Sequence, residues 1–400
     1  MPTWEFAAGN TGGGSSISTV QRFLPPMGWI TPSLAEARMQ LKVFSTYTWA
    51  NLYVRCLSWA TTNHIFTSRV GGLNGAQTVT VTGTGVFQDT VNTDALVSGN
   101  LINWTIDGST GVKTYSMVGS TLQDTGTNAI VQAANQQSGG TAVAFGLTRY
   151  TGISGKLTSG GGMATTETDV QYTLRRATTY TNLRVTVGTY TLSAAATWTF
   201  RVNAGPGAQS VSINGTGAFE DTTNSDVVAV AAEVNHSLDT TASISGSLIM
   251  GLAQVAHIST GRETATHQPI GVSRTGDAYL GAEADATSST TQSDSQIAAR
   301  VAFTAANLFV NVPTHGASSG VNIYLQQNNV NSALTVNVPA STTGLFEDTT
   351  NSASIVVEDT YNFFLDHGGG AGGITATIIG FANGPIFDLP GSRLNVLVRM

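Results

Sequence analysis

Three stretches of the chain alternate polar and apolar residues with a period of two: Thr78-Val-Thr-Val-Thr82, Ser210-Val-Ser-Ile-Asn214 and Leu334-Thr-Val-Asn-Val338. That period marks a half-buried β-strand, with one face on a core and the other in water. Shorter apolar segments predict further strands at residues 52–54, 101–106, 183–187, 198–202 and 375–379, separated by Gly, Asn and Ser. Residues 32–41, Pro-Ser-Leu-Ala-Glu-Ala-Arg-Met-Gln-Leu, break the pattern with a helical propensity.

The string that follows each alternating strand recurs. It reads Gly85-Val-Phe87-Gln-Asp89-Thr-Val-Asn92, then Gly217-Ala-Phe219-Glu-Asp221-Thr-Thr-Asn224, then Gly344-Leu-Phe346-Glu-Asp348-Thr-Thr-Asn351. Flanking columns keep step with it. Asn51, Asn182 and Asn307 precede the glycines by 34, 35 and 37 residues, and Gln40, Gln171 and Gln296 precede those asparagines by 11. Asn103, Asn235 and Asn362 each follow the glycine by 18, and Gly119, Gly251 and Gly380 close each unit behind an apolar pair. Near-constant spacing over this many columns is the signature of an internal triplication.

The repeat overrules local propensity at residues 32–41. Their equivalents, 166–172 and 291–297, are rich in Thr, Ser and Gln, so an extended segment is expected in all three, with room for a short helical turn. The fold class follows: all-β, three tandem jelly-roll-like β-sandwich modules, each with an extended lead segment. The modules are expected at 1–140, 141–268 and 269–384. Gly- and Ser-rich stretches at 136–140 and 159–162 bracket the first join, and stretches low in hydrophobic content at 259–282 and 287–295 form the second. Leads of roughly 40 residues exceed ordinary loops, so they should pack along the sandwich or across to a neighbouring chain. Residues 385–400 read as a C-terminal tail strand able to pair with another subunit.

Composition narrows the function. The chain has 400 residues, 41% hydrophobic but only 10% charged, with 45 Gly and a net charge of −7. Such a surface is covered by Ser, Thr, Asn and Gln, and it lacks the basic stripe a nucleic acid would need. The single Cys56 cannot form an internal disulfide, which suits assembly in a reducing cytosol or a very large buried area. No secretion signal or membrane span is expected, so a working place outside a cell would not be reached by the general secretion route. A virus particle assembled in the cytosol and released by lysis meets that condition.

The repeated string has a structural reading first. Phe87, Phe219 and Phe346 are expected to plug each core, and Gly85, Gly217 and Gly344 to ease a turn. Asp89, Asp221 and Asp348 are expected to bond backbone amides two residues on, with Asn92, Asn224 and Asn351 taking a left-handed conformation. A sharper reading is a calcium loop at Asp221-x-x-Asn224-x-Asp226. Its acids are too few for a hard cation, and the third copy has Ala353 at the last position. The six histidines share no column, no zinc-like Cys/His set is present, and adjacent Glu220-Asp221 point apart on a strand. No catalytic, cofactor or metal site is therefore expected, although an acid pair from separate segments is open.

The string with its Asn-Leu-x-Val strand and Arg201-Val202-Asn203 resembles modules of tailed-phage virion structural proteins, over about three quarters of the chain. The third copy departs from the pattern at Gln326-Gln327, and the second at Ala231-Ala232-Glu233, where a turn glycine is lost. The resemblance implies a non-enzymatic particle-exterior protein: a capsid decoration, head spike or tail fibre, often trimeric, working by cohesion or attachment. Its partners would be copies of itself and other virion proteins, with host surface glycan as a further partner. The alternative is a glycan- or receptor-binding tail fibre or adhesin, with Trp59, Trp104 and Trp198 as sugar-stacking candidates. Those three tryptophans fall in predicted strands, which favours core packing.

Overall fold

In a computed structural model of the chain, the residues described are 3–9, 15–17, 20–29, 32–59, 62–107, 113–125, 129–135, 142–157, 163–258, 263–282 and 288–383. The tail strand expected at 385–400 lies outside them, as do the stretches at 136–140 and 159–162. The described chain is all-β, with single 3-10 turns at Glu36–Arg38, Glu167–Asp169 and Gln292–Asp294. Residues 32–41 thus hold one tight turn between extended segments, in the same place in every copy.

Each module is two sheets around its own core. The inner sheet of module one orders a lead strand (Thr3–Gly9), a closing strand (Lys113–Asp124), a central strand (Tyr47–Ser58) and a motif strand (Gly85–Leu96). Its outer sheet orders a return strand (Leu101–Ile106) and a hairpin (His64–Val70, Leu73–Val81). Module two repeats this with lead Ala129–Asn135, closing Ser247–Ile258, central Thr178–Tyr190, motif Gly217–Val228, return Glu233–Asp239 and hairpin Ala196–Val202/Gly205–Ile213. Module three uses Glu263–Arg274, Ile374–Asn383, Phe303–Val312, Gly344–Ile355, Thr360–Asp366 and Val321–Gln327/Val330–Val338. These main pairings are antiparallel.

The leads pack within the chain. Ala129–Asn135 pairs with residues 252–258 and Glu263–Arg274 with residues 374–382, so each lead belongs to the sheet of the module that follows it. The 140/141 join read from sequence falls after the second lead, and the 268/269 join falls inside the third. Pairing over more than a hundred residues leaves no mark in local composition.

Alternation explains the sandwich cores. Leu52 and Val54, Leu183 and Val185, and Leu308 and Val310 are fully buried in three separate clusters, one per module. The residue between each pair points the other way and is enclosed as well: Tyr53, Arg184 and Phe309 are at most 3% exposed. Their cover is the neighbouring module.

One joint, repeated, makes that cover. Beside the turn of module one, Arg38 Nη2 donates to Met250 O (3.2 Å), Lys42 N to Gln254 Oε1 (2.9 Å), and Arg184 Nη1 to Gln40 O (3.0 Å). Between modules two and three, Asn311 Nδ2 donates to Thr168 O (3.2 Å), Phe309 meets Tyr172 edge to face at 5.4 Å, and Arg175 lies 4.4 Å over the Phe309 ring. Between three and one, Arg300 lies 4.8 Å over Tyr53, which packs into the core of module three, and Asp294 attracts Arg55. The turn of one module always meets the central strand of the next. A joint repeated one-to-two, two-to-three and three-to-one closes a ring with approximate threefold symmetry.

Candidate functional site

The repeated string lies inside one continuous strand rather than in a loop. In module one the central strand pairs Ala50 with Thr93 and then Leu52 with Asp89, leaving Thr90, Val91 and Asn92 opposite Asn51 alone. The same three-against-one bulge recurs at Asn182 and Asn307. Those facing asparagines carry the left-handed backbone, with φ of 57°, 55° and 53°. This corrects the expectation for Asn92, Asn224 and Asn351, whose φ is negative. Asn tolerates the left-handed conformation better than other L-residues. Gly85, Gly217 and Gly344 open the motif strand at φ of 120°, 121° and 124°, a region that disfavours any side chain.

The aspartate is the centre of the arrangement. Asp221 Oδ1 accepts the backbone N–H of Thr223 (3.2 Å) and Asn224 (3.1 Å), while Oδ2 accepts Ser210 N–H (3.0 Å) and Asn224 Nδ2 (2.9 Å). Asp89 and Asp348 repeat this with Val91, Asn92 and Thr78, and with Thr350, Asn351 and Thr335. Ser210 sits on the outer hairpin and Asp221 on the inner sheet, so each carboxylate staples the two sheets at their open edge. Burial works against ionisation here, but the amide donors outweigh it and hold Asp221 and Asp348 at about 2. Asp89 is lowered for the same reason.

Phe87, Phe219 and Phe346 are half-buried and pack against the flank of their own cores. Each ring lies at the rim of its core with one side towards water, because the motif strand is the edge of its sheet. In module two, Phe219–Asn224 and Ser210–Ser212 line an open cleft of about 350 Å³.

The neighbouring acid acts between modules. Glu220 reaches Lys42 of module one at 2.5 Å and Arg184 at 3.0 Å, and Glu347 reaches Arg175 of module two at 2.5 Å. In that column module one has Gln88, and at its seam Arg300 pairs with Glu358 of its own module at 3.0 Å. The calcium reading loses its geometry as well. Asp226 turns to Ala208 N and Gln209 Nε2 instead of converging with Asp221, and the oxygens of Asp221 already accept N–H donors. Among the described residues no three His, Cys, Asp or Glu side chains are grouped to hold a metal ion.

Two polar pairs change together in the third copy. Gln77 with Asp94 (3.0 Å) and Gln209 with Asp226 (3.1 Å) become Leu334 and Ala353. The Glu36–Arg69 and Glu167–Arg201 ion pairs become a hydrogen bond in which Gln292 Nε2 donates to Gln326 Oε1 at 2.6 Å. The departure at Gln326 therefore keeps its contact and loses its charge. The lost glycine of copy two is replaced by Ala231 at φ 66°, against 94° for Gly99.

Trp104 and Trp198 are fully enclosed and Trp59 is 37% exposed, so at most one sugar-stacking candidate is accessible. Of the histidines, His64, His236, His257, His315 and His367 are buried; the His267 side chain lies outside the described residues. Sequence reading did not find the seam residues Tyr53, Arg184, Phe309, Arg175 and Arg300. A signal existed: Leu52-Tyr-Val54 and Leu308-Phe-Val310 are unbroken apolar runs, which require cover on both faces. No helix among the described residues is long and apolar enough to cross a membrane. No protein-family model matches the chain, and no curated protein does.

Proposed function

We propose that the chain is a non-enzymatic structural protein of a virus particle's exterior: a decoration, spike or tail appendage that gives cohesion or attachment. One observation carries this reading. A single chain builds a closed, approximately threefold ring whose repeated carboxylates are committed to amides within modules and to cations between them. Those groups stiffen the ring and are not left free to act as acid, base or nucleophile. Such a ring meets three symmetry-related neighbours at once, as a shell component does, and its low surface charge suits dense lateral packing. Association of rings with each other and with other particle proteins belongs to the same reading. Attachment to a host glycan ranks second, because only Trp59 among the three tryptophans offers an exposed aromatic face.

Gold-labelled antibody against the chain, applied to intact particles purified from infected cells, tests the proposal. Regular labelling of heads, necks or tails is the expected result. Absence of the chain from purified particles, or turnover of a surface polysaccharide by the isolated protein, would overturn it.

A further inference from the structure

Module three differs from module two at one buried spot at the end of the sandwich. Where module two has Tyr190 and Thr240, module three has His315 and His367. The backbone fixes this correspondence: Thr191 N and Ser193 N donate to Ser247 O and Ser245 O, and Gly316 N and Ser318 N donate likewise to Gly373 O and Ala371 O. Both module-two hydroxyls are satisfied, Tyr190 by Ala194 O at 2.6 Å and Thr240 by Leu147 O at 2.9 Å.

The imidazoles are not. His367 is 1% exposed, and neither of its ring nitrogens has a hydrogen-bond partner. His315 is 7% exposed; its Nδ1 accepts Ser341 N–H at 2.9 Å, and its Nε2 has no partner. Burial, and then the neighbouring His367, push His315 below its ordinary value near 6.5. The carboxylates nearby hold backbone: Asp277 accepts His367 N–H at 2.9 Å and Asp366 accepts Gly368 N–H at 3.0 Å. Arg274 stands across from Ile374, the pairing partner of His315, and adds positive charge. The return strand, the hairpin strand Val321–Gln327, residues 278–280, the 339–343 connection and the closing strand add only Asp366, already named, and the phenols of Tyr279, Tyr324 and Tyr361. The loop after His367 reads Gly-Gly-Gly-Ala-Gly-Gly, with Gly368, Gly369 and Gly372 at positive φ, so it can rearrange at low steric cost.

We propose that the His315–His367 pair is an acid-operated latch that, once protonated, releases the 367–373 loop from the end of module three. Neutral rings fit the enclosed site. Protonation adds N–H donors without acceptors and sets two like charges side by side, and opening the loop returns both rings to water. The sign follows from the depressed imidazole. Its stabilisation is complete above about pH 6.5 and is lost as pH falls below that value. The latch stands independently of the virion reading.

Hydrogen exchange of the full chain at pH 7.5 and 5.5, corrected for intrinsic rates, tests it with module two as internal control. Protection at Gly316, Ser318 and Ser341 should fall several-fold relative to Thr191 and Ser193, since a depressed imidazole loses its stabilisation as pH falls. The double variant His315→Tyr/His367→Thr, which installs the module-two residues, should abolish the difference. An equal loss in both modules, or a module-three loss that survives in the double variant, overturns the proposal. Should that variant not fold, imidazole NMR titration of the native chain decides. A His315 ring titrating below the usual histidine range supports the latch, and one titrating at or above it overturns it.

Discussion

Asp348 binds three backbone amides and the Asn351 side chain through two oxygens, so its removal orphans several donors at once. Asp348→Ala should lower stability by about 2–4 kcal/mol, read as a shifted urea midpoint, because bonds to charged acceptors are each worth about 1.5–3 kcal/mol. Phe346→Ala should lose only about 1–2 kcal/mol, since its half-buried ring gives up less apolar area than a core phenylalanine. The acid limb of stability follows from the same carboxylates. Asp221 and Asp348, at about 2 against the usual 3.8, stabilise fully above pH 3.8, and that contribution disappears as pH falls towards 2. Asp221→Asn should flatten the pH 4-to-2 part of a melting-temperature profile. At this scale the aspartate's bond to the amide two residues on was legible, because Asp-Thr-x-Asn has its own local chemistry. Its second oxygen was not, because Ser210 and Thr335 lie on a different sheet.

At the scale of the element, the strand periods announced the outer hairpins and central strands well, since alternation is a local property of a half-buried strand. The bulge was misplaced. Two repeated asparagines compete for the left-handed position, and only the three-against-one pairing assigns it to Asn51, Asn182 and Asn307. Asn307→Ala should therefore cost about 1 kcal/mol while Asn307→Gly stays near neutral, a contrast that thermal melts resolve. The turn that lost its glycine gives the opposite sign. Ala231→Gly should stabilise module two by about 0.5–1 kcal/mol by relieving its positive φ.

On the scale of the molecule, the triplication was legible, and the ring that it builds was not. The Gly, Phe, Asp and Asn columns of the motif stay alike between copies, whereas the seam column on the central strands diverges to Tyr53, Arg184 and Phe309. Divergent columns look like surface until their partner is known. The ring makes the copies interdependent: Tyr53→Ala in module one should raise hydrogen exchange throughout module three, with a loss of about 3 kcal/mol typical for an enclosed aromatic. Calorimetry should likewise give one transition, with calorimetric and van't Hoff enthalpies in agreement.

The three seams are alike in plan and unlike in side chains: an arginine beneath a tyrosine, an arginine beneath a phenylalanine, and an arginine answering a backbone carbonyl. Each interlocking face is thereby keyed to one mate. A growing chain is steered away from docking its second copy in the berth of the third, because the wrong pairing leaves an arginine without its ring or carbonyl. Three interchangeable faces would carry that hazard, and three unlike ones lessen it.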